Sequence, residues 1–417
     1  MISATRGSRT WLTILVASLG YFVDIYDLQL FNIISRQSLA GLGITDQSAI
    51  ERYDYLLFLW QMGGMLIGGL IWGVLGDLKG RKNILFGSIL LYSLANFANA
   101  FVADITQYSA VRFIAGLGLA GELGAAITLV SEIMHREKRG YGTMAIVTMG
   151  ALGAVAAVKV SEIQLTWFGW QPWQVSYVIG GTLGLLLLLM RVGTFESGMF
   201  DEARRKAVSR GNFLMLFHTR ERFFRYLACI LVGLPVWFVV GVLIKFSEQF
   251  ADMAGVAGGD VSVGRAIMYV YIGLSAGDLM SGLLSQWFRS RKKIILLYLV
   301  CTAMLIVAYL GLRGMSSGAF YTLCFLLGAG TGYWALFVSM SAEQFGTNIR
   351  ATVATTVPNF VRGAVIPIIL SYKALEPTVG AFYSALIVGG VCMALAVASI
   401  LYLRETFGKD LDYVELS

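Results

Sequence analysis

Ionisable side chains lie inside several long hydrophobic runs of this sequence, where a charge is costly to bury. Asp24 and Asp27 are three residues apart in the first run, so on a helix they share one face, and Arg112 and Glu122 lie in a later run. A charged side chain at the centre of a membrane span costs about 2.5 to 3.5 kcal/mol on insertion scales, so each of these residues is a functional candidate. The three carboxylates are candidate proton carriers.

The depth of these side chains suggests which of them meet. Asp27 and Arg112 each lie about six residues from the predicted outer end of their helix, which is roughly 9 Å at 1.5 Å per residue, so the two can pair. Asp24 and Glu122 are rival carriers. Glu122 sits between small residues near the middle of its run, and the alternative is a buried carboxylate held permanently by a neighbouring helix.

Cations inside the runs point to the substrate. Arg362 lies about ten residues into its run, too deep to reach the membrane surface, with Asn359 one turn earlier, and it predicts an anionic partner. Asp278 could neutralise it, or a lysine, when no substrate is bound. Lys159 and Lys245 are nearer the outer ends of their runs, where substrate contact and snorkelling to the headgroups are both open. Aromatic and amide groups could complete a cavity: Tyr21, Gln61, Trp237, Tyr271, Tyr333 and Trp334.

The composition predicts the elements that position these residues. The chain has 417 residues, 57% hydrophobic and only 14% charged, with a mean hydropathy of +0.72, which excludes a soluble globular class. A bilayer core of about 30 Å needs roughly 20 apolar residues per helix. Twelve such runs are present: 11–34, 53–75, 83–103, 106–133, 141–163, 173–191, 223–250, 264–288, 292–312, 318–342, 352–373 and 378–403.

The positive charge of the chain follows this topology. Most Lys and Arg residues fall in alternate loops, which predicts that both termini are cytoplasmic. The first run continues past Asp24 and Asp27 to about Ile34 without a small-residue cleavage site, which predicts a spanning helix rather than a cleaved signal peptide. The net charge of +7 is then a matter of topology, so nucleic-acid binding has little support. The four cysteines lie inside apolar runs and suit neither a metal site nor a disulfide framework.

An internal repeat divides the chain. Glu132-x6-Arg139 closes the fourth run, and Glu343-x6-Arg350 closes the tenth, 211 residues later. We therefore expect two homologous six-helix halves.

The boundary between the halves falls in the longest polar loop. We expect an N-terminal bundle over 1–191, a cytoplasmic linker over 192–222, and a C-terminal bundle with a cytoplasmic tail over 223–417. Gly330 and Gly332 are expected to loosen helix 10, and Pro235 and the Pro358/Pro367 pair to act as flexing points of helices 7 and 11.

A glycine-bounded basic turn links the second and third runs. It reads Gly73-Val-Leu-Gly-Asp77-Leu-Lys-Gly-Arg81-Lys82, in which Asp77 can accept hydrogen bonds from a neighbouring helix start. This turn resembles the motif between helices 2 and 3 of the major facilitator superfamily of transporters.

Three further stretches resemble the sugar-porter and metabolite–proton symporter branches of that family. They are Arg112 to Glu122 with Ser131-Glu132, the run from Arg404 to Leu411, and Phe195 to Phe200, in which Gly198 replaces the usual proline. The resemblance implies an all-α membrane protein of twelve transmembrane helices in two pseudo-symmetric bundles.

The resemblance also implies alternating access around a central site. In proton-linked sugar porters a carboxylate of helix 1 faces an arginine of helix 4, so Asp27 would carry the proton and Arg112 would be its partner. Salt bridges at the cytoplasmic end would close the gate, the alternative being a static network that only sets topology. The gating residues are Asp77, Arg81, Lys82, Glu132, Arg139, Glu343 and Arg350.

The expected function is therefore secondary transport of a small polar metabolite, an organic anion, in symport with protons. We expect a monomeric multi-pass protein of a bacterial inner membrane, in contact with the lipid bilayer. The alternatives are a neutral sugar or polyol as substrate, or a non-transporting sensor on the same fold. We find no pattern for an enzyme, a cofactor or a metal ion.

Overall fold

The computed structural model describes residues 2–79, 81–134, 139–164, 166, 169–191, 213–257, 261–408 and 413–415. Within these residues the regular structure is helical, and the twelve predicted spans are confirmed. The first six helices are α1 Ile2–Gly41, α2 Gln47–Lys79, α3 Arg81–Asn99, α4 in segments Ile105–Leu119 and Glu122–Ile133, α5 Arg139–Glu162 and α6 Pro172–Met190.

The last six helices are more interrupted. They are α7 in segments Arg220–Val232, Leu234–Phe238, Val239–Ile244 and Ser247–Ala254, α8 Val263–Phe288, α9 Arg291–Gly311, α10 in segments Ser317–Thr331 and Trp334–Glu343, then α11 Arg350–Gly363 and the run Val365–Tyr402. Gly380, with φ of 79°, lies inside that last run and separates the end of α11 from α12. Ten stretches of the described chain are apolar and long enough to cross a membrane, the last containing both α11 and α12, and α3 completes the twelve.

Helix breaks occur where the backbone ladder is weakest. α7 breaks at Gly233, just before Pro235, and continues as a π-helical turn. α10 breaks at Gly332 and Tyr333, which confirms the predicted loosening there. α11 pauses at Ala364, three residues before Pro367, whereas Pro358 lies inside an uninterrupted segment, so of the two predicted flexing points of α11 the helix is interrupted near Pro367 and continuous at Pro358.

Two equivalent helix pairs make backbone contact through glycines. A Cβ atom on Gly64 or Gly116 would lie 2.0 or 2.1 Å from a carbonyl oxygen of the partner helix, so only glycine fits between α2 and α4. Gly273 and Gly328 do the same between α8 and α10, where a Cβ would lie 1.9 Å from a carbonyl oxygen in both cases. The second pair follows the first by 209 and 212 residues, the spacing of the sequence repeat. The packing therefore repeats along with the sequence.

The first six helices meet the last six along two seams. α2 packs against the first segment of α11, and α5 packs against α8. Glycines again line the α2 side, since a Cβ on Gly69 would lie 2.7 Å from Asn359 and one on Gly73 would lie 3.2 Å from the Thr352 carbonyl oxygen. We call the two ends of the bundle the α1–α2 end and the α2–α3 end, after the connections found there.

Candidate functional site

A buried charge pair joins the two halves at the centre of the protein. Asp24 of α1 and Arg362 of α11 are 0% and 1% exposed, and the Asp24 Oδ2 and Arg362 Nη2 atoms are 3.9 Å apart. That separation is an ion pair without a hydrogen bond, and both Asp24 oxygens lack a hydrogen-bond partner among the described residues. The anionic partner predicted for Arg362 is therefore first of all a carboxylate of the other half.

Aromatic rings enclose this guanidinium. The Arg362 Cζ atom lies 5.9 Å from the ring centroids of Trp237 and of Trp334, and the two indoles are 6.3 Å apart in an edge-to-face arrangement. Cations are attracted to the faces of such rings, so the two indoles help to hold the Arg362 side chain in place. Asn359 is one turn away and accepts a 3.3 Å hydrogen bond from Arg362.

Asn359 also connects the site to a helix break. Its amide nitrogen donates 2.8 Å hydrogen bonds to the carbonyl oxygens of Ala120 and Thr355. Ala120 lies where α4 is interrupted, so the amide joins α11 to the other half at that break. Asn359 thus orients Arg362 and holds the seam, and its own nitrogen is fully engaged.

The break in α10 is stabilised by Asp278, for which the sequence predicted a different role. Asp278 of α8 accepts a 2.9 Å hydrogen bond from the Ala335 backbone and so caps the segment that begins at Trp334. It forms no ion pair with Arg362 or a lysine within the described chain, which corrects the predicted neutralising role. Tyr333, predicted to face the substrate, donates its hydroxyl to the Val232 carbonyl at the break in α7.

The expected pair of Asp27 and Arg112 is not formed. Both side chains are buried, but the Arg112 guanidinium lies over the Phe31 ring, 4.6 Å from its centroid, and none of its nitrogens has a hydrogen-bond partner in the described part of the chain. The Asp27 carboxylate instead lies beside Gly180 of α6, where a Cβ would come within 2.5 Å of Oδ1. The prediction considered only how deep Asp27 and Arg112 lie along their helices, but the Arg112 side chain points to Phe31 and the Asp27 side chain to Gly180.

Glu122 has a permanent partner. Arg191, which caps the C-terminus of α6, forms a bidentate ion pair with it, with one hydrogen bond of 3.0 Å, and also donates to the Leu85 carbonyl. The pair is buried, and Gly20 makes room for it, since a Cβ there would lie 2.0 Å from Glu122 and 1.9 Å from Arg191. This geometry is that of the alternative interpretation, a buried carboxylate held by a neighbouring helix. Sequence reasoning missed Arg191 because it falls at the edge of its span.

The remaining predicted substrate contacts lie in different environments. Lys159 is exposed and pairs with Glu162 at 2.7 Å, outside the central site. Lys245 is buried near the α1–α2 end, where its Nζ lies 2.8 Å from Asp54 of α2, so it links the two halves. Gln61 is fully buried, and neither atom of its amide has a hydrogen-bond partner among the described residues, so it remains a candidate ligand for substrate.

A carboxylate closes the α2–α3 end, as the sequence suggested. Asp77 accepts hydrogen bonds of 2.8 Å from the Thr352 backbone nitrogen and 2.7 Å from its hydroxyl, so it caps the start of α11 from the other half. Glu343 instead pairs at 2.6 Å with Arg291, and Arg350 donates to the Phe345 carbonyl, both within the last six helices. For four predicted gating residues the structure describes the helix backbone but not the side chain: Arg81, Lys82, Glu132 and Arg139.

Contacts between the halves also close the α1–α2 end. Besides Lys245 and Asp54, Arg36 of α1 pairs with Glu248 of α7 at 2.7 Å. Deeper inside, the Gln29 amide donates a 2.6 Å hydrogen bond to the Tyr271 hydroxyl of α8. Contacts between the halves therefore lie towards both ends of the bundle, with the buried pair of Asp24 and Arg362 between them.

Known proteins of this kind share the sequence pattern. A family model for the Major Facilitator Superfamily matches residues 17–369. The niacin transporter NiaP of Acinetobacter baylyi is 26% identical over 383 residues, which cover 85% of both chains. The 3-(3-hydroxy-phenyl)propionate transporter of Escherichia coli is 26% identical over 383 residues, which cover 89% of both chains.

A solved structure shares the architecture. The MFS proton:xylose symporter XylE bound to 6-bromo-6-deoxy-D-glucose aligns with a TM-score of 0.73 at 16% identity, over 97% of this chain and 98% of that chain. At this identity the similarity concerns the fold. Because the family model spans most of the chain and the twelve-helix architecture agrees with it, this protein belongs to the Major Facilitator Superfamily of membrane transporters.

Proposed function

We propose that this protein is a proton-coupled transporter of an organic anion, and that its substrate is an aromatic carboxylate. The observation that carries the proposal is the loose, buried pair of Asp24 and Arg362, with 3.9 Å between the closest charged atoms. A guanidinium this deep needs an anion, and its present partner makes no hydrogen bond to it. A substrate carboxylate could bind the same guanidinium through two parallel hydrogen bonds, which is a stronger arrangement.

The surroundings of Arg362 favour a planar ring on that carboxylate. Trp237 and Trp334 lie next to each other, each 5.9 Å from the guanidinium, so a ring attached to a bound carboxylate would stack against indole surfaces. The names of two relatives fit this chemistry, because niacin and 3-(3-hydroxy-phenyl)propionate each combine an aromatic ring with a carboxylate. A neutral sugar would leave the charge of Arg362 without a substrate partner.

Proton coupling follows from competition at one guanidinium. The ionised Asp24 carboxylate and the substrate carboxylate compete for the positive charge of Arg362, and a second negative charge in a buried site is unfavourable. When Asp24 takes up a proton it loses its charge and releases Arg362 to the substrate. One monoanion then travels with one proton, so we expect the transport step to be electroneutral.

Alternating access would open the enclosed site to one side at a time. We propose that the halves 1–191 and 223–417 move as bodies, joined by 192–222, with Asp77 holding the α2–α3 end and Lys245 with Asp54 holding the α1–α2 end. A bias of a few kcal/mol between such states is enough for a carrier to work. In this proposal the α2–α3 end faces the cytoplasm.

The test is uptake into proteoliposomes containing the purified full chain. We expect labelled nicotinate or 3-hydroxyphenylpropionate to accumulate when an inward proton gradient is imposed, and xylose not to. Arg362→Gln should weaken substrate binding about 10- to 100-fold, since charge-assisted hydrogen bonds are worth about 1.5 to 3 kcal/mol. Asp24→Asn should keep substrate exchange at equal pH but lose accumulation driven by the gradient.

Lys159→Gln is the matched control, because that lysine is an exposed cation outside the site. It should leave exchange and accumulation unchanged. The proposal is wrong if xylose accumulates and the carboxylates do not, if accumulation ignores the gradient, or if Arg362→Gln behaves like the control.

A further inference from the structure

One face of α3 carries a file of buried polar side chains that the site around Arg362 does not use. Tyr92, Ser93, Asn96 and Asn99 follow each other at helical spacing, and each is at most 2% exposed. The Tyr92 and Ser93 hydroxyls, the Asn96 amide nitrogen and both amide atoms of Asn99 have no hydrogen-bond partner among the described residues. Native proteins rarely bury so many polar atoms side by side without a purpose, because each unsatisfied group costs about 1 to 3 kcal/mol.

Glycines of α6 make the space for this file. A Cβ on Gly184 would lie 2.1 Å from the Ser93 hydroxyl. A Cβ on Gly180 would lie 2.5 Å from Asp27 Oδ1 and 3.5 Å from the Asn96 amide nitrogen, so the carboxylate and the amide share the room that this glycine leaves. Asp27 is therefore part of the file: the Asn96 amide nitrogen is near enough to act on its carboxylate, although neither that nitrogen nor the carboxylate oxygens make a hydrogen bond of ordinary geometry in the described chain.

The polar side chains of α3 and Asp27 form a line from the α1–α2 end of the bundle towards Asp24. Asn99 is the last residue of α3, and the loop that follows it carries the exposed residues Ala103 and Asp104 at the α1–α2 end. Asn96 is one turn deeper, beside Asp27, and Asp27 is in turn one helical turn from Asp24. The polar atoms thus lead from that surface through the first six helices to the carboxylate of the central pair.

We propose that this face of α3 and Asp27 form a hydrated proton path that enters at Asn99 and is separate from the route of the substrate. Water satisfies buried polar atoms that no protein group reaches, and a file of waters held by amides and hydroxyls conducts protons. The inference rests on the proton coupling proposed above. A proton arriving at ionised Asp27 neutralises it and can then pass to Asp24, whose neutralisation releases Arg362.

The charges around Asp27 suit a transient proton acceptor. Arg112 of α4 and Asp24 of α1 are the charged groups that act on it, with opposite signs, and Tyr26 of α1, Tyr177 of α6 and Tyr92 of α3 are its other titratable neighbours. Neither charged group is hydrogen-bonded to it. Its state can therefore change without breaking a structural ion pair such as that of Glu122.

The test separates the two proposals by measuring two activities of the same proteoliposomes. Exchange of labelled nicotinate at equal pH needs no net proton transfer, whereas accumulation driven by a pH gradient does. Asn96→Leu and Asn99→Leu should keep exchange within about twofold of wild type and lower gradient-driven accumulation about 100-fold, the usual scale of a lost proton-transfer group. Gly180→Ala should do the same by filling the space beside Asp27.

Gly390→Ala is the matched control, since a Cβ there meets nothing within 4 Å, and it should change neither activity. Asn96→Ser retains a polar group and should retain accumulation, which keeps the test valid if the leucine variants fold poorly. The proton path is refuted if the leucine variants and Gly180→Ala accumulate normally, or if they lose exchange in the same proportion as accumulation. Absence of exchange in the wild-type protein would refute the proposed function instead.

Discussion

Removing the carboxylate of Asp77 should open the α2–α3 end. Asp77 is 1% exposed and accepts two hydrogen bonds from Thr352 at the positive end of α11, across the seam between the halves. Hydrogen bonds to a charged acceptor contribute about 1.5 to 3 kcal/mol each, so Asp77→Ala should weaken the closed state by about 3 kcal/mol. At about 1.4 kcal/mol per tenfold change, the population open at that end should rise about 100-fold.

A buried position beside this contact reports the opening. Thr355 of α11 is 2% exposed and packs against Gly124 of the other half. With the four native cysteines replaced by alanine, Thr355→Cys should react with a maleimide about 100-fold faster in the Asp77→Ala background, in proportion to the open population.

Asp104→Ala is the matched control for this experiment. Asp104 is also a carboxylate that caps a helix start, accepting a 2.9 Å hydrogen bond from the Gln107 backbone, but it lies at the opposite end and within one half. It should leave the labelling rate unchanged. Equal labelling rates in the Asp77→Ala and Asp104→Ala backgrounds would refute the reasoning that the inter-half cap holds the gate.

Three further outcomes are expected. Gly20→Ala should destabilise the protein by about 3 kcal/mol or more, read as a lower thermal midpoint, because the new methyl group would collide with the buried ion pair of α4 and α6; an unchanged midpoint would contradict that packing. Lys245→Met should lower the midpoint by leaving Asp54 without its partner, and adding Asp54→Leu should restore part of the loss; a double variant no better than the single one would exclude coupling. Burial alone would raise the pKa of Glu405, but hydrogen bonds from the Ser290 hydroxyl and three backbone nitrogens outweigh it and lower that pKa below the ordinary 4.5. Ionised Glu405 therefore stabilises the folded protein above pH 4.5, and this stabilisation is lost as the pH falls through the lowered pKa. The difference in thermal midpoint between wild type and Glu405→Gln should shrink in acid, and a difference that grows in acid would contradict the direction of the pKa shift.

The spans and the helix cap formed by Asp77 were predictable because strong local constraints determine them. A bilayer demands long apolar helices, and a carboxylate just inside a tight turn can accept hydrogen bonds from a neighbouring helix start, as Asp77 does from Thr352. The internal repeat likewise predicted two similar halves, and the glycine contacts of α2 with α4 and of α8 with α10 follow the same spacing.

Partner choice inside the bundle was harder to predict. Depth along a helix placed Asp27 and Arg112 at one level, but pairing also depends on helix rotation and side-chain direction, and Arg112 turns to Phe31. Arg191 was overlooked as the partner of Glu122 because nothing in sequence spacing links the end of α6 to the middle of α4. Asp278 was misassigned because a cap at an internal helix break cannot be recognised before the break is known.

The glycine contacts have a mechanical consequence. The backbones of α2 and α4 touch at Gly64, and those of α8 and α10 touch at Gly273. Each of these helix pairs should therefore move as one rigid unit, because close backbone packing resists sliding of one helix along the other. The seam between α2 and α11 is also lined by glycines, Gly69 and Gly73 of α2 and Gly363 of α11, but these face side chains such as Asn359 and Leu66 as well as backbone. The glycine face of α2 can separate from α11 with few side chains to disengage. When the two helices come together again, little side-chain conformational entropy is lost. The same residue type would thereby stiffen the moving bodies and ease the surface along which they separate.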